Sequence, residues 1–266
     1  MSFKWWPIRR LVQLGGLALI ASPLAGLGVF RGNLAAGELL GVSLADPLAF
    51  LQATLASHVF IPSFLGSALL VAVFYFVLGG RTFCGWICPV YLLTEMNARL
   101  RRYFDGVDRR YSVRGTRWSF AVTVTVSLLA GIPLFEILSP IGITSRAIMF
   151  GAWLPLLLVL AILLVELFFA RRVWCRSLCP AGGFYALLGR FSPIRIGFSQ
   201  QRCTGCGACS RVCPVAEVLE PSLIEGRSQV ASGDCTRCGD CIDSCPAKAL
   251  GVDIWYKSKL GQGGLS

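Results

Sequence analysis

The chain has 266 residues, of which 55% are hydrophobic and only 15% are charged. This balance is too apolar for an ordinary soluble domain and indicates a membrane protein. The formal net charge is +11, and in a membrane protein such an excess is first a signal of topology, so we expect no nucleic-acid partner.

Four apolar segments are long enough to cross a hydrocarbon core as helices, which takes about 20 residues. In chain order they are residues 11–30, 60–80, 119–138 and 151–170. The first follows basic residues, as the core of a signal peptide does, but it is long for such a core and no convincing cleavage site follows it. We therefore expect a retained first span and an α-helical membrane domain with four transmembrane helices over residues 1–190.

Lysine and arginine are distributed unevenly between the segments outside these spans. Loops 31–59 and 139–150 hold one arginine each, Arg31 and Arg146. The 81–117 loop holds eight: Arg81, Arg99, Arg101, Arg102, Arg109, Arg110, Arg114 and Arg117. The N-terminal segment and the C-terminal part are also basic. Because cytoplasmic loops carry the excess of positive charge, we expect a multi-pass inner-membrane protein with cytoplasmic N- and C-termini.

The first outer loop contains the stretch GELLGVSLADPLAFLQATLASHVF, residues 37–60. Its leucines alternate with small and polar residues. We interpret it as an amphipathic segment that lies along the outer leaflet. A disordered loop is the alternative, and it fits the apolar content poorly.

Two runs near the C-terminus share the spacing C-x₂-C-x₂-C-x₃-C-P: CTGCGACSRVCP at 203–214 and CTRCGDCIDSCP at 235–246. In bacterial two-cluster ferredoxins, three cysteines of such a run bind one cluster and the fourth binds the other. The predicted [4Fe–4S] ligands are Cys203, Cys206, Cys209 and Cys245 for the first cluster, and Cys235, Cys238, Cys241 and Cys213 for the second. We expect a small α+β ferredoxin-like domain over residues 191–266.

Zinc is the alternative occupant of these runs, because C-x₂-C pairs also suit zinc. The third closely spaced cysteine and the proline after the fourth favour iron–sulfur clusters. All 12 cysteines of the chain fall in short-spaced motifs. This grouping indicates metal or redox chemistry in a reducing compartment rather than a framework of disulfides.

Two further cysteine pairs, Cys84 with Cys88 and Cys175 with Cys179, each follow a predicted span and precede a proline. The surrounding sequences, FCGWICPV and VWCRSLCPAGG, indicate an internal duplication of a helical hairpin. The four thiols together would suit a third metal site or a redox-active dithiol. The alternative is that they pack a tight turn at a helix end, since free cysteine behaves as a small hydrophobe.

With these motifs the chain resembles the NapH/MauN family of membrane polyferredoxins, and within it the NapH branch. The resemblance covers nearly the whole chain. It is carried by the segments RRLVQLGGLAL, RGNLAAGELLGVSLADPLAFLQ, FCGWICPV and RRVWCRSLCPAGGFYALLG and by the two ferredoxin runs.

The resemblance implies the quinol dehydrogenase component of a nitrate-respiration system. Such a protein passes electrons from the quinol pool, together with an extracytoplasmic NapG-like iron–sulfur partner, towards a periplasmic nitrate reductase. Related polyferredoxins serve metalloenzyme assembly, so a redox maturation factor is the alternative. A simple tethered ferredoxin is a third reading, and the duplicated thiol pairs argue against it.

Quinol oxidation needs acceptors for two protons, and ionisable residues near the spans are few. The candidates are His58, the only histidine, together with Glu136 and Glu166. Each has a structural alternative: an interfacial histidine is often only solvated, and Glu166 could pair with a nearby arginine. The predicted cytoplasmic lobe also lies opposite the implied periplasmic destination. Either the quinone pool bridges the two faces or the inner clusters serve a separate task.

Overall fold

A computed structural model of the chain describes residues 4–25, 30–32, 36–60, 62–101, 112–151, 153–169 and 171–254. Three sets of predicted features lie outside these residues. They are parts of the predicted spans, at 26–29, 61, 152 and 170, three arginines of the basic loop, Arg102, Arg109 and Arg110, and the end of the predicted 191–266 domain, at 255–266.

The described residues are mostly helical, with two small sheets. The helices are α1 (Trp5–Ala21), α2 (Pro47–Ser57), α3 (Pro62–Leu78), α4 (Thr82–Trp86), α5 (Pro89–Leu100), α6 (Arg114–Ala130), α7 (Leu134–Leu138), α8 (Pro140–Phe150), α9 (Leu156–Phe168), α10 (Pro180–Arg190), α11 (Ala208–Val212), α12 (Glu220–Glu225) and α13 (Asp240–Asp243). The strands are β1 (Phe30–Gly32), β2 (Ala36–Leu39), β3 (Val42–Ala45), β4 (Ile194–Phe198), β5 (Gln229–Val230) and β6 (Leu250–Ile254). A π-helical turn covers Trp174–Leu178.

The four predicted spans correspond to α1, α3, α6 and α9, with shifted ends. Helix α3 nearly fills the predicted 60–80 segment, whereas α6 ends early at Gly131, which adopts a left-handed φ of 67° as its C-cap. Glycine adopts this conformation without the steric cost that other residues carry. Within the described ranges, none of the helices combines the length and the apolar character that a membrane crossing requires.

The chain divides into two compact units, and we describe each separately. The helical lobe comprises residues 13–73 and 87–184, and in it α2 packs on α6 and α7, while α9 packs on α5 and α8. Buried Gln52 on α2 accepts a hydrogen bond from the Phe135 amide through Oε1 at 3.1 Å.

The predicted outer amphipathic segment is not one continuous helix. Its first part joins an antiparallel sheet of order β1-β2-β3, and only its second part, α2, is helical. Asp46 ends the sheet segment and caps α2, since its Oδ2 accepts from the Ala49 amide at 3.3 Å. The strands have three or four residues each, too few to give a clear alternating pattern in the sequence.

The C-terminal lobe comprises residues 1–12, 74–86 and 185–266, and so includes segments from outside the predicted 191–266 domain. Its sheet has the order β5-β4-β6, with both neighbours antiparallel to β4. Ile196 and Phe198 point from β4 into the core. Helices α11 and α13, one from each cysteine run, pack against each other.

Candidate iron–sulfur site

The two cysteine runs fold in the same way. In each, a loop with two left-handed residues leads into a short helix, and the fourth cysteine follows close behind that helix. The left-handed residues are Gly205 and Gly207 in the first run, with φ of 69° and 67°. In the second run they are Arg237 and Gly239, with φ of 48° and 81°. This backbone turns the chain tightly enough for closely spaced thiols to face a common point.

Four of the predicted ligands line one cavity in the C-terminal lobe. Cys235, Cys238 and Cys241 come from the second run, and Cys213 comes from the end of the first. This is the crosswise set that the spacing predicts for the second cluster. The cavity wall is otherwise mainly apolar and is formed by Ile196, Pro214, Val215, Val218 and Leu219.

The four predicted ligands of the first cluster lie in a more open setting. Cys209 is buried, Cys203 and Cys245 are half-buried, and Cys206 is exposed. Backbone amides point at two of these sulfurs: Gly205 donates to Cys203 Sγ at 3.5 Å and Ala249 donates to Cys245 Sγ at 3.3 Å. Such N–H···S contacts stabilise thiolate sulfur and are among the features that set cluster potentials.

The residues that line the second cavity fit a [4Fe–4S] cluster, because they supply four thiols and apolar walls. The first set has backbone donors on two sulfurs, and its assignment to a cluster stays a prediction. Over the ranges that the structure describes, no three His, Cys, Asp or Glu side chains are grouped as ligands of a single metal ion.

Burial controls the acidity of the thiols in the second cavity. Desolvation raises the pKa of Cys238 to about 11 and raises that of Cys241 well above its ordinary value. The neighbouring thiols add to the effect at Cys241. Exposed Cys206 shows the opposite shift, because the Ala208 amide, the Thr204 hydroxyl and Arg211 lower its pKa. Ligation requires thiolates, so binding at the buried cavity must supply the free energy of their deprotonation.

Three buried arginines lie in the C-terminal lobe beside the second run. Arg9 Nη1 contacts Asp240 Oδ2 at 3.0 Å, and Arg81 Nη1 contacts Asp234 Oδ1 at 3.2 Å. The third is Arg237. The sequence prediction assigned Arg9 and Arg81 to membrane topology and missed this role. The available signal was the presence of Asp234 and Asp240 directly before two predicted ligands.

The cysteine pairs of the C-x₃-C-P motifs span breaks between helices. Cys84 lies in α4, whereas Cys88 is the N-cap of α5, which begins at Pro89. Cys175 lies in the π-helical turn, and α10 begins directly after Cys179. Cys84 belongs to the C-terminal lobe, and the other three belong to the helical lobe.

The surroundings of Cys175 in the helical lobe are polar and cationic. Its Sγ lies 3.8 Å from the Thr94 hydroxyl. Arg172 donates to the Tyr91 hydroxyl at 3.0 Å, stacks over that ring, and interacts electrostatically with Cys175. The structure thus places this thiol beside a hydroxyl and a guanidinium, and its metal-binding or redox role stays a prediction.

The three predicted proton acceptors occupy different settings in the helical lobe. His58 is exposed and is the left-handed C-cap of α2. Glu136 is half-buried in the first turn of α7, and its backbone carbonyl accepts from Arg146 at 2.7 Å. Glu166 is only 2% exposed, and its Oε1 accepts from the Trp174 backbone amide at 3.0 Å. Its Oε2 is buried with no hydrogen-bond partner in the described part of the chain.

Models of two protein families match the chain. Residues 195–247 match a 4Fe-4S dicluster domain. Residues 60–105 and 152–199 each match a 4Fe-4S binding domain, and each match contains one C-x₃-C-P motif. The double match agrees with the predicted internal duplication. No solved structure matches the chain significantly.

The chain is similar over most of its length to several named proteins. The methylamine utilization ferredoxin-type protein MauN of Paracoccus denitrificans is 40% identical over 88% of this chain and 84% of its own length. The ferredoxin-type protein NapH of Haemophilus influenzae is 37% identical over 93% of this chain and 88% of its own length. NapH of Escherichia coli is 34% identical over 97% of this chain and 92% of its own length.

These relatives and the two family models make the chain an iron–sulfur electron-transfer protein of the ferredoxin type. The identities to MauN and NapH are similar, so they do not separate the two branches. The match extends over both the helical part and the cysteine runs. The chain belongs to the NapH/MauN family of ferredoxin-type proteins.

Proposed function

We propose that this protein is a membrane-bound quinol dehydrogenase component, which passes electrons from the quinol pool towards a periplasmic nitrate reductase. The observation that carries the electron-transfer part is the cavity in which Cys213 joins Cys235, Cys238 and Cys241. A bound [4Fe–4S] cluster supplies one-electron storage. The chain's contribution is to carry two sets of four thiols in one small lobe, of which the first includes exposed Cys206 and the second lines a cavity.

A membrane location is supported by where the apolar side chains lie. Helices α3 and α9 expose large apolar residues: Phe64, Leu65, Leu69, Leu70, Val73 and Phe74 on α3, and Leu157, Leu158, Leu160, Leu164, Val165 and Phe168 on α9. Water-exposed helices carry polar residues on their outer face, whereas lipid-exposed helices carry apolar ones. With the arginine asymmetry of the loops, this favours an inner-membrane protein with both termini in the cytoplasm.

Oxidation of one quinol releases two electrons and two protons, so the protein must accept protons near the site of oxidation. Glu166 is the candidate with the strongest structural support, because it is a buried carboxylate with a buried oxygen that lacks a partner in the described ranges. Exchanging Glu166 for glutamine should slow quinol-dependent reduction at least tenfold and leave reduction by dithionite unchanged. The matched control is Glu38→Gln on β2, because Glu38 is an exposed carboxylate of the helical lobe and not a candidate acceptor. Equal rates in wild type and Glu166→Gln would exclude this role.

The decisive experiment reconstitutes the protein in proteoliposomes, with and without a NapG-like partner, and follows quinol-dependent bleaching of the iron–sulfur absorbance. Iron analysis should give about eight atoms per chain for two filled sites. About twelve would support a third cluster, which the duplicated 4Fe-4S binding match favours. Stoichiometric zinc in place of iron, or no reduction by quinol under either condition, would refute the proposal.

A second candidate is a redox maturation factor for a metalloenzyme. Two MauN relatives at 39–40% identity are named for methylamine utilization, so we test a task other than electron supply to nitrate reductase beside the first candidate. The two candidates differ in when the protein is needed. A quinol dehydrogenase component turns over continuously with quinol and an acceptor, whereas a maturation factor is needed only until its target enzyme is assembled. Depleting the protein after assembly of the reductase therefore stops electron flow in the first case and leaves it intact in the second.

A further inference from the structure

The two cysteine runs differ at one structurally equivalent position. The second residue after the first cysteine is Gly205 in the first run and Arg237 in the second, and both are left-handed. Arginine is strained there because its Cβ approaches the following carbonyl oxygen. The Arg237 backbone is held in place by the Trp86 indole, which donates to its carbonyl at 3.1 Å. Strain that the surroundings maintain in this way points to a functional reason for the side chain.

The Arg237 side chain is buried and anchored by neutral groups. Its Nε donates to the Ile194 carbonyl at 2.8 Å, and its two terminal nitrogens donate to the carbonyls of Gly79 and Gly189. A Cβ at Gly79 would overlap the guanidinium, so this glycine makes room for it. The guanidinium is therefore fixed in one position inside the C-terminal lobe, with 9% of the residue exposed.

The charge of Arg237 is balanced differently from that of the other buried arginines. Arg9 and Arg81 each contact a carboxylate, whereas the hydrogen bonds of Arg237 all go to uncharged carbonyls. Burial lowers the pKa of Arg237 and nearby Arg195 adds to this, whereas the Cys235 sulfur acts in the opposite direction. A buried charge requires a counter-charge. Arg237 also lines the cavity with the four thiols, so the ligated thiolates are in the right place to supply it.

We propose that Arg237 is a positioning residue whose fixed positive charge raises the reduction potential at the buried Cys213, Cys235, Cys238 and Cys241 site. Reduction adds one electron and one unit of negative charge there, with no bond made or broken. Burial disfavours that added charge, and the guanidinium offsets the penalty. The inference rests on the proposed electron-transfer function.

The test is an EPR-monitored redox titration of the full-length, cluster-loaded protein. Arg237→Gln and Arg237→Gly both remove the charge. The glycine variant also relieves the backbone strain and has the residue found at the equivalent position of the first run, so a change in its potential cannot be attributed to misfolding. Both should lower the equilibrium constant for reduction at the buried site at least tenfold, which is about 59 mV for a one-electron couple. Arg237→Lys keeps the positive charge and should change the equilibrium constant for reduction less than threefold. The EPR signal lost in Cys213→Ala identifies the buried site.

Arg211→Gln is the matched control, because Arg211 is an exposed arginine that acts on Cys206 at the first site. Because solvent screens this exposed charge, Arg211→Gln should change the equilibrium constant for reduction less than threefold. An unchanged potential in Arg237→Gly, with both clusters retained, would overturn the inference, as would an equal fall in Arg237→Lys and Arg237→Gly. Absence of clusters from the wild-type protein would instead refute the proposed function, so the two failures are distinguishable.

Discussion

The buried pair Arg81–Asp234 should contribute strongly to the stability of the C-terminal lobe. Both side chains are 2% exposed, and Nη1 and Oδ1 lie 3.2 Å apart. At an effective dielectric constant of about 20, this separation corresponds to a Coulomb attraction of about 5 kcal/mol. Removing one partner leaves a buried charge, which costs about 3–5 kcal/mol. Arg81→Met should therefore speed amide exchange across 229–238 by about 140- to 3,700-fold.

Hydrogen exchange of the intact protein, followed by mass spectrometry, measures this local opening. The control is Arg227→Met, because Arg227 and Glu225 are closer, at 2.7 Å, but 60% and 54% exposed. That exposed pair should contribute about 0–1 kcal/mol. The double variant Arg81→Met with Asp234→Leu should recover most of the protection, since no isolated charge remains. If the single Arg81 variant exchanges no faster than the Arg227 control, the reasoning from burial is wrong.

Three further outcomes are expected. In protein stripped of its clusters at pH 8, iodoacetamide should label exposed Cys206 more than tenfold faster than Cys238, because the pKa of about 11 leaves Cys238 with little thiolate. The labelling rate of Cys238 should rise about tenfold per pH unit up to that pKa. Peptide mass spectrometry measures both rates, and equal rates would contradict this. Gly239→Ala should lower the temperature at which the iron–sulfur absorbance is lost, because the left-handed backbone costs about 1–2 kcal/mol and the new Cβ overlaps the Trp5 side chain from its Cβ outward. Adding Trp5→Gly removes the overlap and should restore only that part of the loss. Asp46→Ala should cost about 1 kcal/mol through loss of the α2 cap, measured as faster exchange of the α2 amides, with Asp46→Asn as the control that retains a capping oxygen.

The cysteine sites could be predicted from the sequence because their chemistry depends on the spacing of the cysteines. The interval between Cys235 and Cys241 fits one cluster loop, and the distant fourth ligand, Cys213, follows from the paired runs. The structure brings these thiols to one cavity. Proline was similarly informative, since α5 and α10 begin at Pro89 and Pro180, where the sequence indicated a break or restart.

The burial of the arginines and the first sheet could not be predicted from the sequence in the same way. Counting arginines for topology treats each as a solvated charge, yet Arg9 and Arg81 are enclosed in the C-terminal lobe by contacts with residues more than 150 positions away. Nothing local in the sequence marks such partners. The β1-β2-β3 sheet was missed because its strands are too short for a periodic pattern to differ from that of an apolar loop.

The C-terminal lobe includes the start of helix α1. The backbone amides of Trp5 and Trp6 donate to the Asp243 carboxylate at 2.9 and 2.8 Å, across 238 and 237 positions of sequence. Translation must therefore reach Asp243, beyond seven of the eight predicted cluster ligands, before these two hydrogen bonds can form. The attachment of α1 to this lobe thus cannot precede the synthesis of those seven cysteines.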